Sequence, residues 1–158
     1  MRTPENILKQ DPAYTGQEMI SGIDCTVGYV KEFRWSWLAT QLNTYIIVGT
    51  SRERITSQTI ADFSKNCFDH AVKNNKGWPR GLQAAIGSIA ILQGTDITQD
   101  AMAFCEKPTR KHWSAFEVPV LYDLDAQHAI RFVNNPIWGR IYFPYFAKTI
   151  DDITGKIG

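Results

Sequence analysis

Between residues 115 and 133 the chain reads AFEVPVLYDLDAQHAIRFV. Phe116, Val118, Val120, Tyr122 and Leu124 fall on alternate positions, and after the polar break Asp125-Ala126-Gln127 so do His128, Ile130 and Phe132. Period-two apolarity on both sides of a short polar break predicts two antiparallel strands closed into a hairpin. Residues 44–48, TYIIV, are a continuous apolar and β-branched run, the pattern of a strand covered on both faces. Upstream, Tyr29, Phe33, Trp35 and Trp37 share one strand face with Lys31, while Val30, Glu32, Arg34 and Ser36 share the other. One aromatic face and one mostly polar face predict a half-buried strand near a sheet edge.

Two segments, IIVGTSRERITSQTI and IAILQGTDITQDAM, resemble each other. Each is an apolar strand, a Gly-Thr, a polar link, then Ile-Thr with another apolar residue four positions after the Thr. Thr56 and Thr98 are the expected N-caps, with Ile55 packing on Ile60 and Ile97 on Met102. We read the likeness as shared capping chemistry. The first helix then buries Ile60, Phe63, Cys67, Phe68, Ala71 and Val72 and should stop near Gly77, a left-handed cap; the second ends at Pro108. A C-terminal helix presents Phe146, Ala147, Ile150 and Ile153 on one face, with Pro144 in its first turn. Residues 1–23 are weakly patterned: a helical turn from Pro4 through Ile7 and Leu8, then loop at Asp11-Pro12 and Gly16.

These elements predict one α/β domain over residues 1–158, its globular core at 25–158. The mixed sheet has about five strands in the order β-βα-βα-ββ-α, the two β-α units implying parallel strands. Without the first strand the order is β-α-β-α-β-β-α, and over about residues 43–154 it resembles thioredoxin-like topology. Val118-Pro119 is similar to the proline those folds hold in cis. The resemblance implies a fold and no redox activity, because the place of the dithiol reads Thr50-Ser51-Arg52-Glu53-Arg54. Fold alone assigns no function.

With 158 residues, 44% of them hydrophobic, the chain can bury a core without disulfides or metal. A net charge of +1 excludes a globally basic chain that coats double-stranded nucleic acid non-specifically. Cys25, Cys67 and Cys105 are odd in number and form no C-x-x-C, which predicts buried thiols in a reducing compartment. There is no signal core and no apolar run near the roughly 18 residues of a membrane span. The expectation is a cytoplasmic protein without a membrane partner. No Gly-x-Ser-x-Gly, Walker loop or Gly-x-Gly-x-x-Gly occurs, so no cofactor is expected.

Candidate chemistry is sparse, and no catalytic or metal-ligating residue is assigned. Cys67 and His70, three apart on a helix, have the spacing of metal ligands or of a thiolate and its base, but Cys67 lies in the apolar stripe and reads as core. Glu117, Asp123 and Asp125 alternate along the hairpin and read as a solvated strand face, with Asp125 opening the turn. His112 and His128 are lone, and His128 falls on the apolar side of its strand.

One constellation carries a ligand hypothesis. If the links around the sheet meet at one end, they bring together Arg52 and Arg54, then Lys107, Arg110, Lys111, His112 and Trp113, then Trp138 and Arg140. Basic groups interleaved with indoles suit a small anionic ligand with a flat ring, and equally a protein interface. The leading expectation is a non-catalytic binding or protein-interaction module, homodimeric through Tyr29, Phe33, Trp35 and Trp37. The competing one is an enzyme or binding protein for a small phosphorylated or carboxylated ligand at the basic, Trp-containing sheet end.

Overall fold

The computed structural model describes residues 2–37, 39–75, 77, 84–108, 110–112, 114–133 and 142–155. In chain order its elements are α1 (Pro4–Gln10), β1 (Tyr14–Ile20), β2 (Ile23–Arg34), a 3-10 turn (Trp35–Trp37), β3 (Thr40–Thr50) and α2 (Ser57–Lys73). They continue with β4 (Ala84–Gly94), α3 (Gln99–Glu106), β5 (Arg110–His112), β6 (Ala115–Asp123), β7 (His128–Ile130) and α4 (Phe143–Thr154). The described strands form one mixed sheet in the order β1-β2-β3-β4-β6-β5, with β7 also pairing β6. β3, β4 and β6 run parallel; β2 pairs β3 antiparallel, β1 pairs β2 antiparallel, and β5 and β7 pair β6 antiparallel.

Helices cover both faces. Beneath α2 and α3 lies one core, built from Ile60, Phe63, Cys67 and Cys105 of the helices and Ile47, Ala90, Leu92 and Leu121 of the strands. Beneath α1 and α4 lies the other, with Leu8, Phe146, Ile150 and Ile153 on Ile46, Ile89, Val118 and Val120. Successive strand residues feed opposite cores, so β3, β4 and β6 read as apolar runs. The capping logic holds at both helix starts. Thr56 Oγ1 accepts from Thr59 N, with Thr59 answering in a capping box, and Thr98 Oγ1 accepts from Ala101 N. The two similar links also pair with each other: Ile55 N donates to Asp96 O at 2.8 Å and Thr98 N to Ile55 O at 3.0 Å.

Several expectations change. β1 was hidden because six of its seven residues are not buried, leaving no apolar alternation to read. The strand expected over residues 29–37 ends at Arg34, and the 3-10 turn carries Trp37 into the α4-side core against Tyr142 and Tyr145. α2 stops at Lys73 with Asn74 as its cap, not at Gly77. The thioredoxin-like arrangement is not confirmed. β6 lies beside β4 and parallel to it, extra strands flank the five expected, and no described peptide bond is cis. Pro119 instead stands where the outer edge of β6 is split: β5 pairs residues up to Glu117, β7 pairs from Leu121 on, and Pro119 has no N–H to offer between them.

Candidate functional site at the amino end of the parallel strands

Polar side chains inside a sheet covered on both faces need partners, and the chain concentrates them beneath the last turns of α2. Tyr45, Ser88 and Glu117 stand side by side in register across β3, β4 and β6. Ser88 is fully buried and its Oγ has no hydrogen-bond partner among the described residues. Asn43, also fully buried, accepts from Tyr29 Oη at 2.7 Å and donates to Ala85 O at 3.4 Å. Tyr45 Oη donates to Asn74 O at the end of α2. Burial raises the Tyr29 phenol and pushes that of Tyr45 up to about 12. Gly77 closes over this cluster, and a methyl group there would overlap Asn43 Oδ1 and Gln41 Oε1.

Glu117 overturns its expected place on a solvated strand face. It is 2% exposed, because α2 lies over β6 on that side. His112 is not lone: its Nε2 lies 2.9 Å from Glu117 Oε2, and its ring stacks on Phe68 with centroids 4.1 Å apart. Arg110 is the residue opposite Glu117 in the β5–β6 register. The arrangement anchors the short edge strand β5 to a buried carboxylate. It also presents one imidazole at the surface with its second ring nitrogen free of that bond.

The basic constellation does not assemble as one group. β6 is parallel to β3 and β4, so the link entering β6 arrives at the opposite end of the sheet from the links leaving those strands. Arg52 and Arg54 therefore lie at the carboxyl end, exposed, with Arg54 Nε 3.1 Å from Asp96 Oδ2. Lys107, Arg110, Lys111 and His112 lie at the amino end, about 20 Å away along the strands at ~3.3 Å per residue. Trp113, Trp138 and Arg140 fall outside the described residues.

Of the four aromatic residues expected at an interface, Trp37 is buried and Tyr29 is half-buried with its hydroxyl engaged. Phe33 and Trp35 face solvent, edge to face with centroids 5.3 Å apart, and Trp35 is 81% exposed. Cys67 is sealed in the core, His70 bonds to Asn74, and no cluster of metal-binding side chains occurs among the described residues. The turn is opened by the Asp123 carboxylate and not, as expected, by that of Asp125: Asp123 Oδ1 accepts from Asp125 N and Ala126 N. His128 faces solvent rather than the core.

Asn43, Tyr45 and Ser88 escaped the sequence reading, although a signal was there. A polar residue inside an apolar run that is buried on both faces must point into a core, as in LNTYIIV, IGSIAI and FEVPV. The architecture is thus a helix-covered, single-sheet α/β protein with a polar inlay in one core. Comparison with known protein families, with curated proteins and with solved structures finds no match. No described helix is long and apolar enough to cross a membrane.

Proposed function

We propose that the protein acts by association, as an interaction module that pairs with a second copy of itself through the corner formed by Phe33 and Trp35. The observation that carries this reading is the 81% exposure of Trp35, a side chain whose large apolar area is costly to leave in water. The corner is held firmly. Arg34 sits 4.8 Å above the Trp37 ring and 5.4 Å from that of Tyr145, with its Nε 2.9 Å from Glu32 Oε1. The surroundings carry both signs, Lys31 and Arg34 against Glu32, so the corner presents no single-sign field to repel a second copy. β1 pairs with β2 only as far as Gly28, so residues 30–34 project beyond it.

Sedimentation velocity across a concentration series tests the reading. The intact chain should reach a dimer, and Trp35→Glu should return it to monomer without altering its circular dichroism. A chain that stays monomeric throughout, or a dimer indifferent to Trp35→Glu, rules the corner out.

A further inference from the structure

A second, independent feature lies at the edge where β7 pairs the end of β6. A cleft of about 550 Å³ opens there between β7 and the last turn of α4, a volume within the range of small-molecule sites. Its walls are unusually rich in hydrogen-bond donors. Arg131 lies on one side with its side chain 11% exposed, fixed by two contacts from Nη2 to Asp151 at 3.2 and 3.4 Å and one from Nη1 to Phe132 O at 3.0 Å. Those bonds hold the guanidinium plane still, and its Nε–H has no partner among the described residues, the pre-organisation that oxyanion binding rewards.

Arg2 lies on the other side, beside Gly155, whose left-handed backbone (φ 72°) ends α4. A Cβ at Gly155 would lie 3.5 Å from Arg2 Nε, which places the guanidinium in ordinary contact with the end of α4. Tyr122 lines the cleft as well; burial raises its phenol and Arg2 draws it back, so the guanidinium and the ring feel each other. His128 completes the donor set from β7, and neither it nor Arg2 has a hydrogen bond or ion pair among the described residues. Asp151 is occupied by Arg131, which leaves Glu106 as the one uncommitted carboxylate among the described lining residues. A chain of net charge +1 thus gathers two guanidiniums, an imidazole and a phenol around one cleft.

We propose that this cleft binds a small phosphorylated metabolite, its phosphoryl oxygens held by Arg2 and Arg131 on the α4 side and the hydroxyls of its body met by His128 and Glu106 on the α3 side. The cleft is larger than a phosphate ion, so the body contributes and free phosphate is the weaker ligand. This ligand site stands apart from the self-association corner: β7 pairs residues 121–123 of β6, on the far side of the sheet from β2.

Isothermal titration at low ionic strength with glycerol 3-phosphate and with inorganic phosphate tests it. Glycerol 3-phosphate should bind, more tightly than phosphate, and added salt should weaken both. Arg2→Gln should cost about tenfold or more in affinity for both probes, the loss of one charge-assisted hydrogen bond, whereas His128→Gln should weaken glycerol 3-phosphate and leave phosphate unchanged. Both side chains are exposed, so the fold should survive, and Arg110→Glu at the other sheet end should bind as the intact protein does. Equal affinity for the two probes would reduce the site to a phosphate-ion site and overturn the metabolite assignment. No heat with either probe, or affinity unchanged in Arg2→Gln, would overturn the cleft altogether.

Discussion

His112 Nε2 and Glu117 Oε2 meet at 2.9 Å across the β5–β6 corner, with the imidazole 38% exposed and the carboxylate sealed beneath α2. The two partners are unequal in what their loss leaves behind. Removing the imidazole leaves a buried carboxylate without it, whereas neutralising the carboxylate leaves an imidazole that water reaches. His112→Ala should therefore destabilise by roughly 2–3 kcal/mol, and Glu117→Gln by clearly less. Urea unfolding of both variants checks the order. Equal losses would mean that the bond contributes little to fixing β5.

Ser88 presents the opposite case, a buried hydroxyl whose Oγ has no described partner. With no partner among the described residues, its desolvation is a cost that the unfolded chain does not bear. Ser88→Ala should then raise stability by about 1 kcal/mol. A measured loss instead would show that Oγ is engaged in the native protein, by Glu117 or by a bound water. The prediction is small but its sign is decisive.

The central fold was legible because burial on two faces leaves a loud pattern. TYIIV, the Thr56 and Thr98 caps and the alternation through Val118, Val120 and Tyr122 each specify an element locally, and each is present. What failed was information that no single element contains. β1 is almost wholly solvent-facing and carries no apolar code, so only its pairing with β2 defines it. The site failed for a related reason. Whether Arg52 and Arg110 share an end of the sheet depends on the direction of β6, which is set by long-range pairing with β4 and not by any residue near either arginine. Glu117 was misplaced because alternation shows that two faces differ but not that both are covered.

Close packing between the sheet and α4 gives a further test. Gly87 of β4 lies under the Phe146 ring, and a Cβ there would come 2.6 Å from Phe146 Cε1. An aromatic ring in a core has little room to yield, so Gly87→Ala should cost about 1–3 kcal/mol through displacement of α4. Phe146→Leu leaves a void that the new methyl group can fill. The double variant should accordingly lose less than the two single losses added together. Strict additivity in thermal unfolding would show that Gly87 and Phe146 do not meet as described.

The three thiols make stability depend on alkaline pH with a definite sign. Burial pushes Cys25 and Cys105 from an ordinary 9.0 up to about 12 and raises Cys67 as well. Burial likewise moves Tyr45 and Tyr145 from 10.0 to about 12. Each group keeps its proton longer in the folded chain than in the unfolded one. Between these limits the native state binds more protons, so the stability present below pH 9.0 must fall as the pH rises toward about 12. Denaturant midpoints measured across that window should decline steadily, without a matching change between neutral pH and its lower limit. The same burial predicts that iodoacetamide labels none of the three thiols in the native protein near neutral pH, and all of them once urea unfolds it. Rapid native labelling of Cys67 would reverse the conclusion, because a thiolate reachable by the reagent cannot be the sealed core thiol on which this pH dependence rests.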